Sequence, residues 1–139
     1  MLRRHLPFLL FPALGRSATP RMHWADASRT GRAYSKDPSV IAFGGRYLLY
    51  YSMPTRLEGD IMLDWAVGVA ESQDLIEWKK VAEILPDQEP ERKGLAAPFA
   101  RVIGNEVHLF YQTYGNGRAD AICHAVSKDG LRFTRNPTN

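Results

Sequence analysis

The stretch YSKDPSVIAFGGRYLLYYS (residues 34–52) places an aspartate directly before a run of β-forming residues. A carboxylate at the mouth of a pocket can take a proton from water and so act as a general base. An Asp-Pro pair is also common in turns, because Asp bonds to nearby backbone and Pro restricts φ. Asp37 therefore has two interpretations at this point: a catalytic base, or a polar residue that begins a strand.

Histidine and cysteine offer little further chemistry. His108 and His124 fall inside predicted strands, with no cysteine or carboxylate at the spacing of a metal site. We predict packed histidines, no bound metal and no other cofactor. The single cysteine, Cys123, excludes an internal disulfide and is expected to be a small buried residue.

Composition indicates a globular domain of ordinary chemistry. The 139 residues suffice for a core, and 45% of them are hydrophobic while 24% are charged. The net charge of +3 is small, and the basic residues are scattered rather than arranged in a stripe. We therefore predict neither a nucleic-acid partner nor a membrane-spanning segment.

The first residues have the outline of a secretory signal. Arg3 and Arg4 precede an apolar stretch at 6–14, and Ala13-Leu14-Gly15 loosely fits a cleavage site. The stretch is short and contains prolines, so a leader or a locally packed tail is the alternative. The sequence leaves the compartment open, with a secreted or periplasmic protein as one possibility, and residues 1–33 are assigned to an N-terminal extension.

An internal repeat organises the remainder of the chain. Residues 37–52 align over 97–112, and residues 66–78 align over 121–133. The matched positions include Pro38 with Pro98, Gly44 with Gly104, Tyr51 with Tyr111, Ser72 with Ser127, Asp74 with Asp129, and Trp78 with Phe133. Two matched segments in the same order indicate a repeated supersecondary unit.

Each unit is predicted to contain four short antiparallel strands joined by tight turns. The predicted strands are about 39–43, 46–52, 65–70, 78–84, 99–103, 106–112, 121–127 and 132–134, with a long loop at 53–64. Four-stranded repeats of this period are typical of β-propeller blades. We predict an all-β fold with two blades, at about 34–86 and 95–139, as part of a larger propeller; self-association of the units, or a small β-sandwich, are alternatives.

The blade topology sorts the polar residues into two ends. Asp37 and the loops at 53–64, 86–97 and 113–120 are expected at one end, while the repeated Ser-x-Asp turns fall at the other. The counterpart of Asp37 in the second unit is Ala97, although the following proline is kept. A purely structural aspartate would be expected in both copies, so the catalytic interpretation gains weight.

The segments SKDPSVIAFGGRYLLYYS, WAVGVAESQDLIEWKK and HLFYQTYGNGRADAICHAVSKDGLRF resemble the first two blades of five-bladed β-propeller glycoside hydrolases. The nearest resemblance is to the family 43-like group, with families 117, 32, 62 and 130 as relatives in architecture. It covers residues 34–139 and specifies architecture better than substrate.

The resemblance implies that Asp37 is the general base, or the nucleophile in a retaining member, for hydrolysis of oligo- or polysaccharides. It also implies that the general acid comes from later blades, so the expected active site is incomplete within these residues. A non-catalytic carbohydrate-binding or remnant module is the alternative. A protein-interaction propeller is less favoured, because the Gly-His and Trp-Asp pairs of one common interaction repeat are missing.

Three further residues are candidates for sugar binding. Trp65 begins a predicted strand and can stack on a sugar ring, although a core position is the simpler expectation for a strand tryptophan. Arg118 and Asp120 lie in a loop at the same end and can hydrogen-bond hydroxyl groups, with a solvated charge pair as the alternative.

Overall fold

The computed structural model describes residues 22–139, so the expected secretory signal lies outside the described residues. Two four-stranded antiparallel sheets follow one another along the chain, each with its strands in sequence order. The first contains β1 (Lys36–Phe43), β2 (Arg46–Glu58), β3 (Ile61–Ser72) and β4 (Lys79–Ile84). The second contains β5 (Leu95–Ile103), β6 (Glu106–Thr113), β7 (Ile122–Ser127) and β8 (Thr134–Arg135).

This architecture confirms the predicted all-β fold of two four-stranded repeats. Two short 3-10 helices, Glu89–Glu91 and Gly117–Ala119, interrupt the connecting loops. Within the described part of the chain, no helix has the length and apolar character needed to cross a membrane.

The predicted loop at 53–64 is wrong. β2 and β3 continue through it as a hairpin whose register runs to Glu58 opposite Ile61. Gly59, at φ 60°, provides the left-handed turn that closes the hairpin. The polar residues that suggested a loop lie on two strands that extend beyond their neighbours, where Arg56 pairs with Asp64 across the hairpin.

The main core lies between the two sheets. Alternate residues of β2 and β3, including Leu48, Tyr50 and Val67, form one buried cluster with Leu109 and Tyr111 of β6. The Tyr50 hydroxyl donates a hydrogen bond of 2.8 Å to the carbonyl oxygen of Gly130. This contact satisfies a buried polar group and joins the first sheet to a turn of the second.

The outer face of the first sheet is covered by residues 22–35, which we call the N-terminal segment. Trp24 packs edge-on against Tyr51, with ring centroids 5.7 Å apart. The Asp26 carboxylate accepts a hydrogen bond from the Tyr51 hydroxyl and lies 2.7 Å from Lys80 Nζ. These contacts leave Tyr51 almost completely buried. The face of the second sheet that points away from the first carries exposed apolar residues, with Phe99 58% and Ile122 72% exposed.

The repeated Ser-x-Asp turns have the structural role predicted for them. The Asp74 carboxylate accepts hydrogen bonds from the backbone N–H groups of Ile76 and Glu77 and from the Ser72 hydroxyl. Ser127 and Asp129 repeat the arrangement in the second sheet. Backbone hydrogen bonds are the main reason that the pKa of each aspartate is lowered.

Candidate functional site

Asp37 lies in an irregular step of β1, close to the start of the strand. The register between β1 and β2 shifts between Lys36 and Ser39, and Asp37 has a left-handed φ of 52°. The second sheet repeats this geometry, because its register shifts between Ala96 and Phe99 and Ala97 has a φ of 50°. The strained backbone is therefore common to both sheets, whereas the carboxylate occurs in the first alone.

A buried serine holds the carboxylate of Asp37. The Ser52 hydroxyl donates a hydrogen bond of 2.8 Å to Asp37 Oδ2, and it accepts one of 2.7 Å from the backbone N–H of Ala97. Ser52 is fully buried, but the Asp37 side chain is 39% exposed. The carboxylate is thus fixed on one side and open to solvent on the other.

Lys36 links the carboxylate to a group of aromatic rings. Its Nζ lies 3.9 Å from Asp37 Oδ2 and 4.3 Å from the centre of the Trp65 ring. The Tyr114 ring centre is 5.7 Å from the same nitrogen. Cation–π attraction of this kind keeps a flexible lysine side chain close to one position.

Trp65 supports this group from within the protein. The residue is only 7% exposed, and Tyr34 and Tyr114 pack edge-on against its ring. Burial favours a packing role, and stacking of Trp65 on a sugar stays a prediction. Tyr114 is 40% exposed and is the more accessible ring. Sequence reasoning missed it, although it begins the loop that was assigned to the Asp37 end.

Arg118 and Asp120 have different surroundings in the loop between β6 and β7. Arg118 is exposed on the second 3-10 helix and makes no hydrogen bond or ion pair with any residue of 22–139. Asp120 Oδ1 accepts hydrogen bonds from the Asn116 backbone N–H at 3.1 Å and the Thr113 hydroxyl at 3.3 Å. Asp120 therefore helps to close the loop, and its contact with sugar stays a prediction, as does that of Arg118.

Glu91 is a buried carboxylate whose surroundings sequence reasoning did not anticipate. It is fully buried, and its Oε1 lies 2.8 Å from Arg135 Nε; the Tyr111 hydroxyl also donates to it. Burial alone would raise the pKa of the Glu91 carboxyl, but bonds from Arg135, Tyr111 and the Asp87 N–H together lower it. An ionised, fully paired carboxylate of this kind joins structural elements rather than donating a proton.

The two histidines contact one another on the outer face of the second sheet. His108 Nδ1 and His124 Nε2 are 3.0 Å apart, and the His124 ring stacks on Phe110. Burial and the neighbouring His108 lower the pKa of His124. In the described part of the chain, no group of three or more histidine, cysteine, aspartate or glutamate residues has an arrangement suited to a metal ion.

The structure as a whole is similar to β-propeller glycoside hydrolases. A GH43_1 enzyme from Xanthomonas citri aligns over 75% of this chain and 32% of its own, at 21% identity and a TM-score of 0.62. A family 117 glycoside hydrolase from Zobellia galactanivorans aligns over 83% and 41%, at 21% identity and a TM-score of 0.62. A GH32 beta-fructofuranosidase from Bombyx mori aligns over 87% and 25%, at 20% identity and a TM-score of 0.63.

These likenesses define the fold class, a partial β-propeller of the glycoside hydrolase type. Residues 29–139 match the family model described as glycosyl hydrolases family 32 N-terminal domain, and the chain belongs to that family. No curated protein matches the sequence. The chain spans between a quarter and about two fifths of the length of the three solved structures described above.

Proposed function

We propose that this chain contributes the base carboxylate of a glycoside hydrolase that cleaves O-glycosidic bonds in an oligo- or polysaccharide. The observation that carries the proposal is the pair of matching backbone irregularities at Asp37 and Ala97. Because Ala97 adopts the same φ without a carboxylate, the fold does not require an acid there. The carboxylate of Asp37 is left for a chemical role.

The proposed reaction needs a second carboxyl group. Glycosidases place two acids on either side of the bond, about 6.5–9.5 Å apart when a water must fit and about 5–5.5 Å apart when one acid attacks the sugar. Of the acids in residues 22–139, Glu91 is buried and paired with Arg135, and Asp120 closes its own loop. We infer that the general acid lies outside these residues, in agreement with the share of related structures that the chain spans.

The loop between β6 and β7, which contacts Lys36 through Tyr114, carries two groups suited to sugar binding. Tyr114 offers an exposed aromatic ring, and the exposed Arg118 offers hydrogen-bond donors. Trp65 and Lys36 hold this surface from beneath. We propose that Tyr114 and Arg118 bind the carbohydrate directly, and that Asp120 and Trp65 act mainly by shaping the loop and the aromatic group.

Hydrolysis, by the full protein, of a panel of plant, algal and fructose-containing glycans tests the proposal. Asp37→Asn preserves the shape of the side chain and should lower kcat by at least about 100-fold, because the amide cannot accept the proton. Asp64→Asn is a matched control, since Asp64 also combines an exposed carboxylate with a left-handed φ of 51°. Equal activity of the wild-type protein and Asp37→Asn would refute the proposed base.

The exposed aromatic ring of Tyr114 also fits a second candidate function, a non-catalytic carbohydrate-binding or remnant module. That function predicts heat on titration with a glycan but no turnover. Asp37→Asn would then leave hydrolysis at background, and Tyr114→Ala would weaken binding by roughly tenfold through loss of the aromatic contact.

We also propose that the chain, when isolated, self-associates through the outer face of the second sheet. Phe99 lies directly opposite Phe110, and Arg101 and Glu106 of the same face carry opposite charges that two copies can pair. Sedimentation velocity should show a concentration-dependent mass, reduced in a Phe99→Ser, Ile122→Thr variant. A monomeric wild-type chain at all concentrations would contradict this proposal.

A further inference from the structure

We propose that Ser52 is a positioning residue that selects which oxygen of Asp37 receives a proton; the inference rests on the function proposed above. A hydroxyl group has one hydrogen to donate. Ser52 Oγ already accepts the Ala97 N–H at 2.7 Å, and Asp37 Oδ2 lies 2.8 Å away on its donor side. The serine hydrogen is therefore directed at Oδ2.

The two oxygens of Asp37 consequently have different surroundings. Oδ2 accepts the Ser52 hydrogen bond and lies 3.9 Å from Lys36 Nζ. Oδ1 accepts no hydrogen bond from any residue of the described 22–139 range, and the side chain is 39% exposed. A base must have a free lone pair within hydrogen-bond reach of the proton that it removes. Oδ1 has no hydrogen bond from the described residues and is free to accept the proton, whereas Oδ2 already shares a lone pair with Ser52 and lies nearer to Lys36.

The second sheet shows that the serine is not needed for the backbone irregularity. Ser52 lies opposite Lys36, and Gln112 lies opposite Ala96 at the equivalent place. The irregular step forms there with Ala97 and Gln112, so neither aspartate nor serine is essential to it. The two polar residues occur together in one copy and are both replaced in the other, which ties Ser52 to Asp37 rather than to the fold.

The same hydroxyl joins the two sheets. Ser52 belongs to β2, and the N–H that it accepts belongs to β5. The orientation of the Asp37 carboxylate therefore depends on how the sheets pack, because a shift of β5 moves the group that orients the Ser52 hydroxyl. Ser39 of β1 makes a comparable bond, accepting the Ala100 N–H at 2.9 Å, without a hydrogen bond to Asp37.

This pair of serines provides a matched test in the full protein. Ser52→Ala should lower kcat by roughly 10- to 100-fold, since a carboxylate free to rotate spends less time in the productive geometry. KM should stay within about threefold, because the serine does not touch substrate. Ser52→Thr retains the hydroxyl and should recover most of the rate. Ser39→Ala removes an equivalent bond between the sheets and should leave kcat unchanged.

A measurement independent of activity separates the two proposals. The carboxyl carbon resonance of Asp37, recorded on ¹³C-labelled protein, should move in Ser52→Ala and stay in place in Ser39→Ala and Ser52→Thr. Loss of hydrolysis in Asp37→Asn together with a wild-type kcat in Ser52→Ala would overturn the positioning role and leave the proposed base intact. If Asp37→Asn keeps full activity, Asp37 is not the base, and the proposed catalytic role of Ser52 is refuted with it. An unmoved resonance in Ser52→Ala would overturn the inference whatever the activity.

Discussion

The Glu91 carboxylate and the Arg135 guanidinium form a buried ion pair between residues that are 44 positions apart in the chain. Arg135 also donates a hydrogen bond of 2.7 Å to the Leu85 carbonyl oxygen. The ion pair therefore links the loop between β4 and β5 to β8, a strand of only two residues. β8 itself has two register pairs with β7.

Breaking this pair should destabilise the protein strongly. Arg135→Met leaves an unpaired buried carboxylate, and we expect the free energy of unfolding to fall by about 3–5 kcal/mol. Urea denaturation followed by tryptophan fluorescence measures the change. Glu89 and Arg92 form an exposed pair in the same connection, so Arg92→Met should change stability by about 1 kcal/mol or less. Equal effects of the two variants would contradict the buried pair.

Stability should fall in acid for the same reason. The pKa of Glu91 lies below its ordinary value in the folded protein, against an unfolded value of about 4.3. Its contribution is complete above the unfolded pKa and is lost as the pH falls through the folded one. Denaturation between neutral pH and pH 3 should show a steeper loss for the wild-type protein than for Glu91→Gln. Parallel curves would show that Glu91 is not the titrating group.

The left-handed backbone at Ala97 should make a glycine favourable there. A residue with a Cβ atom is strained by about 1–2 kcal/mol in this region, whereas glycine is not. Part of the gain is offset because glycine makes the unfolded chain more flexible. We expect Ala97→Gly to stabilise by about 0.5–1 kcal/mol in thermal denaturation. Ala96→Gly, at a buried neighbour without positive φ, should destabilise instead; stabilisation by both would refute the argument.

The aromatic face under the N-terminal segment leaves no room at Gly68. A Cβ atom added there would lie 2.3 Å from Tyr51 Cζ. Gly68→Ala should therefore displace the tyrosine ring and lower stability by about 1–3 kcal/mol. The double variant with Tyr51→Leu should show strong coupling, because the smaller side chain removes the clash. Additive effects of the two substitutions would contradict direct contact.

The fold could be predicted from the sequence because the pattern of its strands and turns occurs twice along the chain. The glycine turns, the alternating strands and the Ser-x-Asp elements each occur in both copies, and a feature that occurs twice is hard to mistake. The hairpin at Gly59 occurs once, and its strands carry exposed polar residues such as Arg56 and Glu58. Periodic burial is lost on strands that extend beyond the sheet, so the pattern suggested a loop.

The surroundings of the candidate site were less accessible to sequence reasoning. Asp37 was singled out from its place directly before a strand, and its mismatch with Ala97 in the repeat strengthened the catalytic interpretation. The contacts with Ser52 and Tyr114 depend on a register shift and on packing between sheets, and neither has a periodic signal. Glu91 lies in the loop at 86–97, and its burial has no signal in the sequence because its partner, Arg135, lies far along the chain.

The cover that residues 22–35 place over the first sheet bears on the order of events during synthesis. Those residues and all four strands of that sheet leave the ribosome before Leu95 does. The face around Tyr51 can be covered at that stage. Only the opposite face, around Tyr50, then remains exposed until the second sheet forms. A nascent chain arranged in this way exposes one apolar sheet face at a time, and a smaller exposed apolar surface reduces aggregation.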